Sequence, residues 1–331
     1  MRISLVIGSH NEGQNLGRTL ATCREVLAGL EHEVVVADDA STDDSLAALA
    51  DFPEVRLFRQ PRRLGPSPTK DIAARCSTGD ILIFLDGHCK PEPGSIQRLI
   101  GDVEATGGQA VITPAIPALD VVNWENMHHL KGNGYWLDLE TLNYGWLGLE
   151  RLQPSIESPG LYESPCMTGC AFAVTRESYE RLLGFDPDMR FWGVEDLDFG
   201  LKAWLMGVPI LHDPRATIGH RFQARFTTYT VTCEHVLANQ LRMARKNLGD
   251  ATWADWFDRA RSRHEPALWA GGLAMFEEFR PSVEAERDYL LSHRPYDEHW
   301  YTHRFGLAWP VAETALAPNP AANPAAALTY V

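Results

Sequence analysis

Four short apolar runs alternate with helical patterns over the first 90 residues, and this alternation constrains the fold more than any other feature of the chain. The runs are rich in β-branched residues and lie at 3–7, 33–37, 55–58 and 81–85. Apolar residues recur at helical spacing between 16 and 30, and residues 45–50 and 69–76 predict two shorter helices. Strands that alternate with helices form a mostly parallel sheet covered on both faces. The sequence therefore predicts an α/β fold.

Polar side chains follow three of these strands at the point where each strand ends. They form clusters at 8–12, 38–41 and 86–88. In sheets of this kind, ligands bind outside the carboxyl ends of the strands. We therefore expect the three clusters to face a single crevice.

The chain beyond residue 110 is less regular. Residues 111–165 show little periodicity and carry large aromatic residues among Gly and Asn: Trp124, Tyr135, Trp136, Tyr144 and Trp146. These side chains fit two interpretations equally, a satellite core or a platform for an acceptor molecule. Regular patterns return with strands predicted at 170–174 and 208–211 and a helix at 195–206.

From residue 226 the sequence predicts mainly helices. Amphipathic patterns cover 231–248, 253–279 and 283–291, and we expect a helical extension over 226–310. Residues 311–331 are rich in Ala and Pro and predict a tail. The acceptor could contact these helices, or the helices could pair two subunits in a homodimer, because amphipathic stripes serve both purposes.

Composition excludes several classes of protein. The 331 residues include 44 acidic and 30 basic side chains, a net charge of −14, whereas a nucleic-acid binder normally presents a basic face. We expect no nucleic-acid partner. No apolar run approaches the ~18 residues of a membrane span, and the start of the chain lacks the pattern of a secretory signal. The six cysteines lie far apart, as in a protein with reduced thiols, so the cytoplasm is the expected compartment.

The segment Asp86-Gly87-His88 offers two metal ligands at the end of an apolar strand. Residues two apart in an extended segment point to the same side, so the carboxylate and the imidazole can converge on one ion. Gly87 permits a close approach to the backbone. One carboxylate with imidazole suits Mn²⁺ better than Ca²⁺. His220 is a third candidate ligand, although a lone histidine is more often a hydrogen-bonded core residue.

These motifs resemble those of a known family. Segments 4–12, 35–43 and 85–88 are similar to family 2 glycosyltransferases of the GT-A fold, which is Rossmann-like with a mostly parallel sheet. Segments 169–174, 191–198 and 218–222 follow the order and spacing of one group of relatives, the polypeptide N-acetylgalactosaminyltransferases. The resemblance implies a GT-A glycosyltransferase domain over 1–225, with 1–110 as the nucleotide-binding half and 111–225 as the acceptor and catalytic half.

The resemblance implies a metal-dependent reaction with a UDP-sugar donor. Asp86, His88 and His220 would hold Mn²⁺ or Mg²⁺, which bridges the two phosphates of the donor and stabilises the leaving diphosphate. The enzyme class expected from the resemblance is a hexosyltransferase.

The resemblance also implies a set of substrate-binding residues. Asp39 would accept the uracil N–H, Ser9 and Glu12 would form part of the nucleoside cradle, and Arg63 or Lys70 would contact the nucleoside or a phosphate. Around the sugar and the phosphates, the expected substrate-binding residues are Asp86, Gly87, Gly169, Trp192, Glu195 and Arg221.

Glu195 and Asp196 precede a predicted helix and are the candidate catalytic residues. In inverting family 2 enzymes the Asp of this pair is the general base, which would be Asp196. In the relatives that retain configuration the Glu position binds the donor sugar, which would be Glu195. Acidic residues in a first helical turn also stabilise the helix dipole without any catalytic role. The sequence leaves the stereochemical outcome open.

Two departures from the relatives bear on the acceptor. The relatives usually carry Arg three residues after the Gly-His histidine, where this sequence has Gln223, and Arg221 or Arg225 is the candidate to replace it. The relatives also carry a membrane anchor and a lectin domain, and we expect neither from this sequence. We therefore expect a small molecule, a peptide or a natural product as the acceptor.

Two other functions compete with sugar transfer. A nucleotidyltransferase that forms a nucleotide-sugar would need a Gly-rich, basic phosphate loop after the first strand, whereas the turn at 8–12 contains one Gly and an acidic residue. A non-catalytic nucleotide-sugar-binding protein is the third hypothesis, and the presence of the acid pair together with the metal-ligand candidates argues against it.

Overall fold

The computed structural model describes residues 1–222 and 230–309, and a large β-sheet lies at its centre. The strands are β1 Ile3–Ser9, β2 His32–Asp38, β3 Arg56–Arg59, β4 Ile81–Asp86, β5 Cys89–Pro91, β6 Val111–Asp120, β7 Glu125–Gly132, β8 Gly134–Leu137, β9 Tyr144–Leu147, β10 Gln153–Pro154, β11 Tyr162–Glu163, β12 Ala171–Thr175 and β13 Ile210–His220. The helices are α1 Gln14–Val26, α2 Pro66–Cys76, α3 Ser95–Ala105, α4 Arg176–Arg181, α5 Glu195–Leu205, α6 Cys233–Asn247, α7 Asp250–Arg263, α8 Pro266–Glu278, α9 Arg280–His293 and α10 Glu298–Phe305. Short 3₁₀ helices cover Ser45–Asp51 and Leu149–Arg151.

The large sheet has the order β10-β11-β13-β6-β12-β4-β1-β2-β3, with β5 beside β13 and β7 beside β6. Within the described residues, seven of its eleven strands run in one direction; β5, β7, β11 and β12 oppose them. Strands β8 and β9 form a separate hairpin. The predicted α/β class, with a mostly parallel sheet and helices at the C-terminal side, is confirmed.

The strand register brings the predicted polar clusters to one edge. Strand β1 pairs in parallel with β2 and β4, and Gly8 lies opposite Asp86. Strand β13 pairs antiparallel with β5, where His220 lies opposite Cys89. Because Cys89 directly follows His88, this pairing places the two histidines side by side.

Both faces of the sheet are buried, which explains the continuous apolar runs. Alternate residues of β4 point to opposite faces: Leu82 and Phe84 pack in one hydrophobic cluster, Ile83 and Leu85 in the other. Phe84 also stacks on Phe172 of β12, with ring centroids 4.4 Å apart. Packing on both faces therefore holds the C-terminal end of β4, which carries Asp86, in place.

The second half of the chain contains more regular structure than its pattern predicts. The loosely patterned stretch begins with the ten-residue strand β6, and β13 extends to His220 instead of ending at 211. Its register shifts between Asp213 and Thr217, around Pro214, which breaks the alternation that sequence reading depends on. Pro266 divides the predicted helix at 253–279 into α7 and α8. Residues 45–50 lie in a 3₁₀ helix.

Helices α6 to α10 follow the sheet, as predicted for residues beyond 226. In the described part of the chain, no helix combines the length and the apolar character that crossing a bilayer requires. The division of the chain at 110, 225 and 310 stays a prediction. Gln223, Arg225 and the tail at 311–331 lie outside the described residues.

Candidate active site

A pocket of about 450 Å³ opens at the carboxyl edge of the sheet, a volume suited to a small organic ligand. The predicted site residues that line it are Ser9, Glu12, Asp39, Arg63, Lys70, Asp86, His88, Gly169, Trp192, Glu195, Asp196, His220 and Arg221. Gly87, which the sequence also predicted, is not among the lining residues. The sequence motifs therefore meet in one crevice, while the role of each residue stays a prediction.

The three predicted metal ligands meet where β4 ends. His88 Nε2 lies 3.0 Å from His220 Nε2, which lies 3.4 Å from Asp86 Oδ2. One ligand atom from each residue lies within 4.8 Å of the others. Neighbouring ligands of one six-coordinate ion are separated by about 3 Å when the bonds measure ~2.1 Å. One carboxylate and two imidazoles at this spacing fit a divalent ion such as Mn²⁺.

Glu12 contacts His88, one of the candidate metal ligands, and its predicted place in the nucleoside cradle stays a prediction. Both of its carboxylate oxygens lie 2.8 Å from His88 Nδ1. A carboxylate can only accept, so Nδ1 carries the proton and Nε2 is left to face His220 and Asp86. Carboxylates commonly orient metal-binding histidines in this way. A Cβ at Gly87 would lie 2.9 Å from Glu12 Cγ, so the glycine makes room for this side chain.

Burial and neighbouring charges shift the pKa values of the three candidate ligands in different directions. Burial alone would lower the pKa of His88, but the negative charge of Glu12 raises it above its ordinary value. Burial lowers the pKa of His220 and holds this ring neutral, the form that binds a metal. Burial alone would raise the pKa of Asp86, but the charge of Lys70 holds it well below its usual range. The carboxylate is therefore ionised and available as a ligand.

Lys70 lies between the metal ligands and the acid pair. Its ammonium is buried and lies 2.8 Å from Asp86 Oδ1 and 2.8 Å from the carbonyl oxygen of Gly169. Burial would lower the pKa of Lys70, but the charges of Asp86 and Glu195 raise it. The predicted contact of this residue with a nucleoside or a phosphate stays a prediction. In the structure it neutralises Asp86.

Asp39 closes the other end of the pocket. Its carboxylate accepts hydrogen bonds from the amides of Leu64 (2.6 Å) and Gly65 (2.8 Å), and burial raises its pKa. Ser9 Oγ is buried nearby and has no hydrogen-bond partner among the described residues. A buried hydroxyl without a partner is costly unless a ligand or water satisfies it, so this end suits a polar ligand.

Glu195 and Asp196, the acid pair, are the first two residues of helix α5 and line the pocket on the side away from Asp39. Glu195 Oε2 accepts from the amide of Gly193 (3.1 Å), and Asp196 Oδ2 accepts from the amide of Gly169 (3.4 Å). Burial, together with the charge of Asp196, raises the pKa of Glu195 to about 7. Burial also raises the pKa of Asp196. Two buried carboxyls with raised pKa values can hold or take up a proton near neutral pH.

Three aromatic side chains, Tyr135, Tyr144 and Phe222, also line the pocket, and Trp146 packs against two of them. Tyr135 lies 4.4 Å from Trp146 and 5.3 Å from Tyr144, and Trp146 meets Phe222 edge-on at 5.6 Å. We call these four residues the aromatic wall. Tyr135 is 9% exposed and packs as core, as one interpretation of this stretch expects, whereas Tyr144 is 37% exposed. A platform for an acceptor stays a prediction.

Sequence reasoning missed some of the pocket. His10 and Phe222 line it without having been singled out. His10 directly follows Ser9, and Phe222 lies two residues after His220. Their position just beyond the end of a strand is the feature of the sequence that could have identified them. Trp124 lies elsewhere, where its indole donates to Thr22 Oγ1 at 3.1 Å.

Comparison with known proteins assigns the class. Residues 4–183 match the family "Glycosyl transferase family 2", and residues 156–226 match "N-terminal domain of galactosyltransferase". The first match covers more than half of the chain, which therefore belongs to glycosyl transferase family 2. The predicted enzyme class, a glycosyltransferase, is confirmed.

Among curated proteins, the chain is similar to one group of glycosyltransferases, the polypeptide N-acetylgalactosaminyltransferases. The chain is 27% identical over 260 residues to polypeptide N-acetylgalactosaminyltransferase 3 of Mus musculus, covering 73% of this chain and 40% of that protein. It is 30% identical over 253 residues to polypeptide N-acetylgalactosaminyltransferase 8 of Drosophila melanogaster, covering 72% and 42%. The chain thus spans less than half the length of these relatives. The predicted similarity to this group is confirmed.

Solved structures share the fold. The crystal structure of GalNAc-T7 with UDP, GalNAc and Mn²⁺ has a TM-score of 0.67 at 22% identity, covering 92% of this chain and 56% of that chain. S. aureus TarS 1–349 in complex with UDP-GlcNAc has a TM-score of 0.52 at 13% identity, covering 94% and 93%. The predicted GT-A architecture is confirmed.

Proposed function

We propose that this protein is a divalent-metal-dependent glycosyltransferase that moves a sugar from a UDP-sugar to an acceptor hydroxyl. The observation that carries the proposal is the convergence of Asp86, His88 and His220 at one edge of the pocket. The crystal structures of GalNAc-T7 with UDP, GalNAc and Mn²⁺ and of S. aureus TarS with UDP-GlcNAc support a UDP-sugar donor and Mn²⁺, with Mg²⁺ as the substitute.

The two ends of the pocket suit the two parts of the donor. Asp39 and Ser9 would receive the uridine, with Arg63 beside them, because they offer buried polar groups. The three metal ligands and Arg221 would face the diphosphate. When bound there, a divalent ion supplies Lewis-acid stabilisation of the charge that develops on the leaving diphosphate. Glu12 keeps His88 in the tautomer that such binding requires.

The acid pair gives two routes for the acceptor proton. In both routes the bond from the anomeric carbon to the phosphate oxygen breaks and a bond from this carbon to the acceptor oxygen forms. In an inverting reaction Asp196 takes the acceptor proton. In a retaining reaction the leaving phosphate oxygen takes that proton, and Glu195 hydrogen-bonds the donor sugar. Gly169 and Trp192 border the same part of the pocket.

The aromatic wall is the proposed acceptor side. Exposed tyrosine and phenylalanine rings bind sugar rings, apolar side chains or natural-product scaffolds through their faces. The names of the relatives, polypeptide N-acetylgalactosaminyltransferases, support a peptide acceptor. A small molecule is the alternative. Cytoplasmic location and a homodimer through the C-terminal helices stay predictions.

Calorimetry with UDP tests the donor site. We expect UDP to bind more tightly with Mn²⁺ than with EDTA, and equal affinities would contradict the proposal. A panel of UDP-sugars then identifies the donor by release of UDP. Uptake of a nucleoside triphosphate and a sugar phosphate with release of pyrophosphate would instead identify a nucleotidyltransferase, and binding without turnover of any donor would identify a non-catalytic binding protein.

The stereochemical test uses the anomer of the product and two matched variants. For an inverted product, we expect Asp196→Asn to lower kcat by about 10²–10⁴ because the general base is lost, with Glu195→Gln less affected. For a retained product, we expect the opposite order, with Glu195→Gln raising the donor KM. A full rate in both variants would remove the acid pair from the proposed site.

A further inference from the structure

The segment that carries Trp192 has an unusual backbone. Phe191, Gly193 and Val194 all have positive φ, at 58°, 120° and 60°. This region is disfavoured for residues with a side chain, above all for β-branched valine. Such backbone persists only where surrounding contacts hold it, and it is concentrated at functional sites. The neighbours of this segment therefore matter for the pocket that it borders.

Helix α6, in the C-terminal extension, supplies those contacts. Asn239 is buried; its Oδ1 accepts from the amide of Arg190 (3.1 Å), and its Nδ2 donates to the carbonyls of Arg190 (2.9 Å) and Gly193 (3.2 Å). One turn earlier, the ring of His235 meets that of Phe191 with centroids 4.2 Å apart. One side chain thus ties both ends of the four-residue bend.

The same face of α6 also holds the residues on either side of the bend. Arg242 donates to both oxygens of Asp186, at 3.0 and 2.7 Å. The ammonium of Lys246 lies 2.6 Å from Asp186 Oδ2 and 2.9 Å from Asp198 Oδ2, and all four residues are buried. Asp198 belongs to the first turn of α5, which begins with Glu195. Positions 235, 239, 242 and 246 follow helical spacing, so they form one face.

We propose that α6 positions the sugar-binding end of the pocket, with Asn239 as its central positioning residue. This inference rests on the proposed function. The amide of Gly193 donates to Glu195 Oε2, so the bend that Asn239 holds also directs the Glu195 carboxyl. Trp192 lies within the same bend. The metal ligands lie on β4, β13 and the turn between β4 and β5, outside this contact set.

The proposal gives the C-terminal helices a role inside the subunit. The buried face of α6 is occupied by residues 186–198, so it is not available to a second copy of the chain. Loss of the Asn239 side chain should impair binding of the donor sugar and leave binding of the nucleotide unchanged. A variant that only destabilises the protein would affect the binding of both parts of the donor.

The test compares Asn239→Leu with Arg287→Met in the full chain. Leucine has a similar size to asparagine and makes none of its three hydrogen bonds. Arg287 is equally buried and donates to the carbonyls of Arg245 (2.5 Å) and Leu248 at the end of α6, without contacting residues 190–194. For each variant, UDP affinity with Mn²⁺, the donor kcat/KM and the melting temperature are measured.

We expect Asn239→Leu to lower donor kcat/KM at least tenfold while UDP affinity with Mn²⁺ stays within twofold of the parent. Arg287→Met should lower the melting temperature and leave kcat/KM within twofold. An unchanged kcat/KM in Asn239→Leu, or an equal loss in both variants, would overturn the positioning role. The absence of metal-dependent UDP binding in the parent protein would instead contradict the proposed function.

Hydrogen exchange tests the same inference without any turnover. In Asn239→Leu we expect the peptide that covers residues 190–197 to exchange at least tenfold faster, because the amide of Arg190 loses its acceptor and the bend is released. Peptides that cover β1 and β4 should be unchanged, as should residues 190–197 in Arg287→Met. Parent-like exchange of this peptide in Asn239→Leu would overturn the proposal even if activity fell.

Discussion

The two ends of the pocket are built in different ways. At the proposed nucleotide and metal end, four side chains lie at or just beyond the end of a regular strand: Ser9 of β1, Asp39 after β2, Asp86 of β4 and His220 of β13. At the sugar end, Gly169, Trp192 and Glu195 come from irregular segments or from the first residue of a helix.

Because the two ends are built differently, substitutions at each end should act on the site by different physical means. The sheet register brings these four strand-end residues together, so changes there should act locally through charge and ligation. The proposed sugar end depends on contacts from α6, so changes there should act through position. The following predictions test this division, from the largest expected effect to the smallest.

Asp86→Ala should have the largest effect. It removes a metal ligand and the partner of the buried Lys70 ammonium, and several kcal/mol of transition-state stabilisation corresponds to a loss of about 10³-fold or more in kcat. UDP affinity without metal should change little. The measurement is UDP calorimetry with and without Mn²⁺ alongside turnover, with the exposed Asp258→Ala as a control. Retained metal dependence in Asp86→Ala would contradict the ligand assignment.

Glu195→Gln should change how stability depends on pH. Burial, with the charge of Asp196, raises the folded pKa of Glu195 from 4.5 to about 7, so the folded protein binds its proton more tightly than the unfolded chain does. The resulting stability is complete below pH 4.5 and is lost as pH rises through 7. The free energy of unfolding of the parent relative to Glu195→Gln should therefore fall by up to about 3 kcal/mol from pH 4 to pH 8.

Urea unfolding of both proteins at one-unit steps of pH measures this difference. A difference that stays constant over the range would show that Glu195 has an ordinary pKa. Such a result would also weaken the contrast between the two ends, because the burial of the acid pair is what distinguishes the sugar end electrostatically.

Glu12→Gln should weaken metal binding without removing a ligand. Glutamine can accept only a neutral hydrogen bond from His88 Nδ1, and loss of such an orienting carboxylate costs about 10–100-fold in metal affinity. Mn²⁺ titration in the presence of UDP measures the change, and the exposed Glu31→Gln is the matched control. An unchanged Mn²⁺ affinity in Glu12→Gln would contradict an orienting role for Glu12 and leave the nucleoside cradle as its predicted place.

Tyr144→Ala should have the smallest effect and should act only on the acceptor. The loss of one partly exposed ring costs about 0.5–1.5 kcal/mol, which corresponds to a rise of about 2- to 13-fold in acceptor KM. Donor KM should stay constant. Tyr296→Ala removes a tyrosine of equal exposure, 37%, from a different surface. A rise in donor KM would contradict the assignment of the aromatic wall to the acceptor.

The sequence predicts the nucleotide end well for a physical reason. Residues that end buried parallel strands need no knowledge of tertiary packing to be placed together, so Asp39 and Asp86 could be assigned to one crevice. The partnership of Glu12 with His88, 76 residues apart, could not be predicted, because no local pattern encodes it. The same applies to Lys70, whose short distance to Asp86 depends on how α2 packs on the sheet.

The sugar end was less predictable because tertiary contacts override local preference there. Positive φ at Phe191 and Val194 contradicts what their side chains favour, and it is the neighbouring helix that permits it. The extension of β13 to His220 was hidden by Pro214. The resemblance to a family located these residues where periodicity alone did not.

The narrow space above Gly87 bears on which cation the proposed metal site would select. Position 87 supplies no ligand and does not line the pocket, yet a methyl group there would push against Glu12 at 2.9 Å. Shifting that carboxylate changes the basicity and tilt of His88, and hence the balance between ions that favour nitrogen and ions that favour oxygen. Natural variation or engineering at this one site can therefore retune ion selectivity while every coordinating atom is retained.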